Sequence, residues 1–156
     1  METIYKNFGE MIQKKGVGIL TLGGWITGED KAWLMQFLQE IPQPKTVVEV
    51  GVFMGNTSNI LLWLTGDSKY FAIDNWAAGD HQAKPAFTTL REGFDKTTEW
   101  AKERITCIEG DSRIIGNKWE TPIDLLYVDG NHEYEFALAD IVQFGRWVRP
   151  GGHILI

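Results

Sequence analysis

Short β-branched runs alternate with longer segments of helical pattern in this chain, and that alternation restricts the fold more than any other feature. The runs predicted to be strands are residues 46–50, 70–73, 105–108, 123–128 and 153–156. Strands separated by helices form right-handed βαβ units and a mainly parallel sheet. We therefore predict an α/β, Rossmann-like fold with about five strands and flanking helices.

The segments between these runs carry helical patterns. Trp33, Phe37 and Ile41 recur every four residues and share one face of a helix that begins near Thr27 and ends at Pro42. Further helices are predicted at 56–65, from about Thr88 to Lys102, and at 133–148, where one stripe contains Tyr134, Leu138, Ile141, Gly145 and Val148. A chain of 156 residues suits one domain, here with an N-terminal helical segment at 1–44 and a core at 45–156.

The charge and the apolar runs exclude several classes of partner. The formal net charge is −6, which argues against a nucleic-acid partner because phosphate binding needs a basic surface. No apolar run approaches the length of a membrane span, and no basic segment followed by a long apolar stretch opens the chain. We expect no nucleic acid, no membrane and a cytoplasmic location.

A glycine-containing turn follows the first predicted strand, with the spacing Glu49-x-Gly51-x-x-x-Gly55. Parallel sheets bind ligands at the carboxyl ends of their strands. Gly51 permits a tight turn and a close approach by a ligand, and a side chain there would meet the ligand or strain the turn. Gly55 stands where the next helix begins, and the free N–H groups of that helix attract electron-rich groups. The spacing is neither a dinucleotide fingerprint nor a phosphate loop, and turn glycines without a ligand explain it equally well.

Polar residues also follow the next three strands. Asp74 comes roughly twenty residues after the glycine turn, where a carboxylate can accept both hydrogen bonds of a ribose diol. Asp111 and Ser112 follow the third strand, where an acceptor can meet the exocyclic amine of an adenine. Asp129 and His132 follow the fourth. The alternatives are a solvated loop acid at Asp74, a helix cap at Asp129 and a helix-start residue at His132.

These segments resemble the class I S-adenosylmethionine-dependent methyltransferases, and among them a bacterial-type O-methyltransferase group with a D-G-[DN]-H signature. The resemblance runs from about Gly24 to Ile156. It rests on G-W-I-T at 24–27, V-V-E-V-G-V-F-M-G-N-T-S at 47–58, F-A-I-D at 71–74, I-E-G-D-S at 108–112, D-G-N-H at 129–132 and R-P-G-G at 149–152.

The resemblance implies an S-adenosylmethionine site and a transferase of the EC 2.1.1 class. The turn with Glu49, Gly51 and Gly55 lies under the methionine part of the cofactor in such enzymes. The acid matching Asp74 holds the ribose, and the position of Asp111, with Ser112, holds the adenine.

The resemblance also implies a catalytic pair and a methyl acceptor. In metal-dependent relatives the acid matching Asp129 ligates a divalent ion such as Mg²⁺, and the histidine matching His132 acts as general base. Transfer to oxygen needs a deprotonated hydroxyl; a divalent ion lowers its pKa, and a histidine can accept its proton. The expected acceptor is a hydroxyl of a small molecule.

Two alternatives remain beside this interpretation. One is a catalytically inactive or partial S-adenosylmethionine-binding domain that acts as a partner subunit. The other is an enzyme that binds NAD or a nucleotide sugar, which the missing G-x-G-x-x-G disfavours. Complete members of the family continue beyond the fifth strand with a helix and two more strands. We therefore expect a sheet that lacks those last two strands, with a fifth strand that pairs with a second copy or a completing partner.

Overall fold

The computed structural model of this chain describes residues 28–77 and 89–156. In chain order the elements are α1 (Gly28–Glu40), β1 (Thr46–Val50), α2 (Asn56–Leu64), β2 (Lys69–Asp74), α3 (Leu90–Thr98), a 3₁₀ helix (Glu99–Arg104), β3 (Ile105–Glu109), α4 (Ser112–Asn117), β4 (Ile123–Val128), α5 (Tyr134–Gly145) and β5 (Val148–Leu155). The G-W-I-T segment and Thr88 lie outside the described residues.

The described residues fall into two compact units, one that contains the sheet and one that is helical. In the sheet unit all five strands are parallel, in the order β3-β2-β1-β4-β5. Every residue of the central strand β1 is buried, as expected for a strand covered on both faces. The order reverses beside β1, so the carboxyl ends of β1 and β4 form the topological switch point. The predicted Rossmann-like parallel sheet is confirmed.

One face of this sheet packs against α4 and α5. Its core contains Val48, Val50, Ile73, Ile123, Leu126 and Val128 from the strands, together with Trp119 and Phe144. The Trp119 and Phe144 rings meet at 5.5 Å between centroids in an edge arrangement, which is favourable for aromatic pairs. This core fixes α5 beneath the strand ends where the site residues lie.

The helical unit contains α1, α2 and α3. The α1 side chains that it buries are Leu34, Met35 and Leu38. Trp33 and Phe37 do share a face, since their rings stack at 5.3 Å, but Trp33 is 58% exposed. The repeat of aromatic residues therefore marked a real helix face, although it is not the buried one.

The last helix ends earlier than predicted, and the residues that it buries lie outside the predicted stripe. Tyr134 and Leu138 of that stripe are 78% and 43% exposed, and Ile141 is partly buried against the core; the buried residues of α5 are Asp140 and Phe144. The helix also ends at Gly145 rather than at Val148, which pairs with Ile123 of β4.

The fifth strand begins five residues earlier than predicted, at Val148, and is irregular. Ile123 pairs with Val148, whereas Leu125 already pairs with His153, so β5 carries extra residues between these two pairs. Gly151, with φ +79°, lies in this irregular stretch. A Pro-Gly-Gly run that indicates a helix end in the sequence is thus a bulge within a strand.

Close packing of α4 on α5 depends on Gly116. A Cβ atom there would lie 2.8 Å from Cε2 of Phe144 and 2.8 Å from Oε1 of Gln143. We expect Gly116→Ala to lower the free energy of unfolding by about 1–3 kcal/mol, the usual effect of overpacking. Urea denaturation measures it, with Gly28→Ala as control because nothing lies within 4 Å of a Cβ there. Equal stability of the Gly116→Ala chain and the wild type would show that the two helices can separate at little cost.

None of the helices among the described residues is long and apolar enough to cross a membrane.

Candidate cofactor and catalytic site

The turn after β1 brings two stretches of backbone into contact. Gly51 has φ +87°, a conformation that favours glycine. Its N–H donates to the carbonyl of Ile73 at 2.8 Å, and the carbonyl of Val50 accepts from the N–H of Asp129 at 2.8 Å. A Cβ on Gly51 would lie 2.2 Å from the carbonyl oxygen of Asp129. The glycine is therefore required by the switch point itself, a reason that the sequence did not reveal.

Glu49 lies on β1 and is fully buried. Its Oε2 accepts a hydrogen bond from the hydroxyl of Tyr70 on β2. Tyr70 pairs with Val47 in the sheet, so its ring reaches diagonally along the same face to Glu49. Tyr70 was not predicted as a site residue, because the register that brings it to Glu49 cannot be read from the sequence.

Gly55 belongs to the helical unit and precedes α2, as predicted. It has φ +87° and ψ 19°, and its carbonyl accepts from the N–H of Asn59 at 3.0 Å and from Nδ2 of Asn59 at 2.8 Å. A Cβ on Gly55 would lie 3.2 Å from the ring of Phe94. Packing within this unit thus adds to the conformational need for glycine.

Asp74 lies at the carboxyl end of β2, as predicted, but as the last residue of the strand rather than the first residue after it, and it is partly buried. Its Oδ1 accepts a hydrogen bond from the N–H of Trp76 at 2.7 Å. Trp76 has φ +41° and is only 8% exposed. A buried, non-glycine residue at positive φ is a strained position of a kind that collects near functional sites. The carboxylate is therefore fixed in direction at the end of the strand next to β1.

Asp111 follows β3 and caps α4. Its Oδ1 accepts from the backbone N–H and from Nε of Arg113, both at 2.9 Å, and its Oδ2 accepts from Nη2 of Arg113 at 2.5 Å. These hydrogen bonds hold the pKa of the Asp111 carboxyl below its usual value. Two carboxylate oxygens offer about four acceptor positions, so one position remains for a further donor.

Ser112 is the first residue of α4, and its hydroxyl lies close enough to Asp140 of α5 to lower the pKa of that carboxyl. Asp140 is 1% exposed, and a Cβ added to Gly130 would lie 3.6 Å from its Oδ2. Asp140 therefore lies between the ends of β3 and β4. Asp140 was not predicted as a site residue from the sequence. Its position between apolar residues in A-L-A-D-I-V is the feature of the sequence that indicates a buried acid.

Asp129 and His132 follow β4. Oδ1 of Asp129 lies 4.0 Å from Nε2 of His132, whose side chain is 73% exposed, against 28% for Asp129. Burial raises the pKa of the Asp129 carboxyl, and the nearby His132 partly opposes this. Asp129 does not cap α5, since the N-cap residue is Glu133, whose N–H is bonded to Oδ1 of Asn131. The structure therefore contradicts the alternative in which Asp129 caps α5.

The sheet brings the strand-end residues to one edge. Val50 is paired with Ile73 on one side and with Val128 on the other, and Asp74 is paired with Glu109. The residues at the ends of these pairs, or just after them in the chain, are Gly51, Asp74, Asp111 and Asp129.

A family of methyltransferase domains matches residues 48–156, which is more than half of the chain. The chain belongs to this methyltransferase family.

Solved structures share the fold of this methyltransferase domain. Cofactor-bound Rv0187 from MTB is 16% identical with a TM-score of 0.66, and the match covers 95% of this chain and 63% of that one. SAH-bound methyltransferase PaMTH1 from Podospora anserina is 16% identical with a TM-score of 0.62, covering 82% of this chain and 51% of that one. An O-methyltransferase family protein from Burkholderia thailandensis is 15% identical with a TM-score of 0.56, covering 80% and 36%. The methyltransferase domain described here thus spans less than two thirds of each of these structures.

A divalent ion does not fit the residues of this methyltransferase domain that the structure describes. Within 28–77 and 89–156, no group of three or more His, Cys, Asp and Glu side chains could hold a metal. Mg²⁺ prefers several oxygen ligands in octahedral geometry, whereas the charged partner of Asp129 among the described residues is the imidazole of His132. We assign no step to a metal.

Asp140 gives this methyltransferase domain a pH-dependent stability. Burial raises the pKa of the Asp140 carboxyl, and the nearby Ser112 hydroxyl partly opposes this shift. The folded chain then keeps the proton to higher pH than the unfolded chain, so the stability contributed by Asp140 falls as pH rises from the unfolded pKa through the folded one.

We therefore expect Asp140→Asn, which cannot ionise, to be more stable than the wild type at pH 7. The gain should be about 1–3 kcal/mol, the scale for a buried polar group left unsatisfied, and should shrink towards pH 4.5. Urea denaturation at both pH values measures it, with Glu135→Gln on the exposed side of the same helix as control. A wild type that is the more stable protein at pH 7 would show that the buried carboxylate is fully compensated.

Proposed function

We propose that this chain binds S-adenosylmethionine and transfers its methyl group to a hydroxyl of a small molecule. The observation that carries the proposal is the alignment of Gly51, Asp74 and Asp111 along the carboxyl edge of the sheet in a member of a methyltransferase family. The likeness to SAH-bound PaMTH1 supports the choice of cofactor.

The cofactor would be held along that edge. Glu49, with the turn at Gly51, would take the methionine part, where the buried carboxylate of Glu49 supplies negative charge for an ammonium group. Asp74, whose direction is fixed by the N–H of Trp76, would take the ribose hydroxyls. Asp111 and Ser112 would take the adenine. When bound, the cofactor supplies an electrophilic methyl carbon on a sulfonium.

His132 and Asp129 would serve the acceptor. The exposed imidazole of His132 is free to reach a bound hydroxyl and take its proton as the oxygen attacks. The Asp129 carboxylate, 4.0 Å from Nε2, would stabilise the imidazolium that forms. Oxygen as the acceptor atom is supported by the fold shared with the O-methyltransferase family protein from Burkholderia thailandensis.

Calorimetry with S-adenosylmethionine, S-adenosylhomocysteine (SAH) and NAD tests the proposed cofactor. We expect binding of the first two but not of NAD. Asp74→Ala should weaken SAH binding by about 1.5–3 kcal/mol, the scale for hydrogen bonds to a charged group.

Glu109→Ala is the matched control, because Glu109 is an exposed acid paired with Asp74 at the end of the neighbouring strand. If Asp74→Ala binds SAH as the wild type does, the ribose is placed wrongly. If both variants weaken binding equally, general negative charge explains the effect.

We also propose that a second chain pairs with β5, as a second copy or a completing partner. β5 ends the sheet order, and Ile154 on it is 40% exposed. An edge strand with apolar side chains invites pairing. Sedimentation velocity over a concentration series tests this: Ile154→Lys should remove the association, and Thr106→Lys on the opposite edge strand β3 should not. A wild type that stays monomeric at all concentrations would contradict the proposal.

A further inference from the structure

Glu49 and Tyr70 are neighbours on the face of the sheet that points away from α4 and α5. The valines that flank Glu49 in β1 belong to the core against α4 and α5, and successive side chains of a strand point to opposite faces. Tyr70 pairs with Val47, two residues before Glu49 and therefore on the same face. Ala72, which pairs with Glu49, has only a methyl group as its side chain. The Tyr70 ring therefore has room to extend along the sheet to Glu49.

The contact between these two residues is a hydrogen bond inside the protein. The hydroxyl of Tyr70 donates to Oε2 of Glu49, and both residues are 0% exposed. A hydrogen bond to an ionised carboxylate is stronger than one between neutral groups, and it is stronger still where water is excluded. Tyr70 thus helps to fix the direction of the Glu49 carboxylate.

Packing alone does not explain an acid at this position of the central strand. The other residues of β1 are valine and threonine, which suit a strand that is buried on both faces. An apolar pair of similar volume would pack here at lower cost than a buried carboxylate and its partner. Residues that break a local rule in this way are expected at functional sites. Glu49 lies one residue before the end of β1 and two residues before the turn at Gly51.

A buried carboxylate near that turn can attract a cation without being exposed itself. The attraction between opposite charges is stronger where water is excluded than in bulk water. The methionine part of S-adenosylmethionine carries an α-ammonium group, for which Glu49 supplies the negative charge in the proposed function. That attraction depends on where the carboxylate lies, and the hydrogen bond from Tyr70 holds it there.

We propose that Tyr70 is a positioning residue of the cofactor site, which holds the Glu49 carboxylate in place as the negative charge that attracts the α-ammonium group of the methionine part. The proposal rests on the proposed function, since it assigns Tyr70 to the site that binds S-adenosylmethionine. Tyr70 acts through Glu49 rather than by contact with the cofactor, because its hydroxyl is buried and donates to the carboxylate.

Calorimetry with two probes tests the proposal. One probe is SAH, and the other is deamino-SAH, an analogue with a hydrogen atom in place of the α-ammonium group. The wild type should prefer SAH. We expect Tyr70→Phe, which removes only the hydroxyl, to reduce this preference by about tenfold through weaker binding of SAH alone, the equivalent of one hydrogen bond to a charged group.

A second variant and a control separate positioning from general destabilisation. Glu49→Gln, which removes the charge, should reduce the preference for SAH at least as much as Tyr70→Phe does. Tyr70→Phe should then add nothing in the Glu49→Gln background, because the two residues act as one unit. A general loss of stability would weaken both probes equally and leave the preference unchanged. Tyr134→Phe is the matched control, because it removes the same hydroxyl from a tyrosine that is 78% exposed.

Four results with the variants would overturn the inference: a wild-type preference in Tyr70→Phe, additive losses in the double variant, an equal loss in Tyr134→Phe, or a Tyr70→Phe chain that no longer folds by circular dichroism. In the last case the hydroxyl would serve the sheet rather than Glu49. A wild type that binds SAH and deamino-SAH equally would also overturn it. In each of these cases the wild type still binds SAH, so the proposed function stands. A wild type that binds neither probe would overturn the proposed function, and this inference with it.

Discussion

A Gly51→Val chain is expected to lose more than about 4 kcal/mol of its free energy of unfolding, an exceptional effect for one substitution, and with it all binding of SAH. The added Cβ would lie 2.2 Å from the carbonyl oxygen of Asp129 and 2.5 Å from Cα of Gly130. Both atoms belong to backbone, so no side chain can move away. The valine would also have to adopt φ near +87°, which is strained for a β-branched residue. Circular dichroism and urea denaturation measure the first effect, and calorimetry measures the second.

Gly151→Val separates the clash from the backbone strain. Gly151 also has a positive φ, of +79°, but a Cβ there would meet nothing within 4 Å. We expect that variant to lose only about 1–2 kcal/mol, the cost of a left-handed residue, and to bind SAH normally. If Gly51→Val kept its stability and lost only binding, Gly51 would serve the cofactor alone, and the close approach of Asp129 would not be what requires a glycine.

The parts of the fold that could be predicted are those whose signal lies in consecutive residues. β1 and β4 have the predicted bounds, because both are short runs of mostly apolar residues, as is usual for parallel strands buried on both faces. Asp74 and Asp111 follow from this directly, since an acid just after such a run must lie at the carboxyl edge of a parallel sheet. Their roles as ligands of the cofactor stay predictions.

The parts that could not be predicted depend on pairing between distant segments. The irregular start of β5 depends on Val148 meeting Ile123, and the sequence shows only a Pro-Gly-Gly run. α4 has six residues and carries no periodic signal. Tyr70 contributes to the site through its hydrogen bond to Glu49 on β1, and Asp140 through its position near Ser112 of α4. The residues of the site at the strand ends could thus be predicted one by one. Tyr70 and Asp140, which contact or lie near those residues from other elements, could not.

His132→Ala is expected to lower the rate of methyl transfer by about 10²–10⁴-fold, the usual contribution of a general base. The side chain is 73% exposed, so its loss should leave the fold intact. It is not among the residues proposed to hold the cofactor, so the affinity for SAH should change by less than about twofold, within the range of a surface substitution. Single-turnover transfer to a panel of phenols, run with and without Mg²⁺, measures the rate, and calorimetry measures the affinity.

A second histidine variant and a chemical rescue make this test specific. His153→Gln on β5 is the control, because it removes an imidazole from the same unit at a position away from the β4 end. Added imidazole should restore part of the rate in His132→Ala, since a free base can enter the space that the side chain leaves. Added imidazole should not change the rate of the wild type.

If His132→Ala transferred the methyl group at the wild-type rate, His132 would be a surface residue before α5 with no role in the chemistry. Tight SAH binding by a wild type that methylates no acceptor would instead favour the inactive partner subunit, because the cofactor edge would then be complete without the chemistry that His132 and Asp129 are proposed to supply.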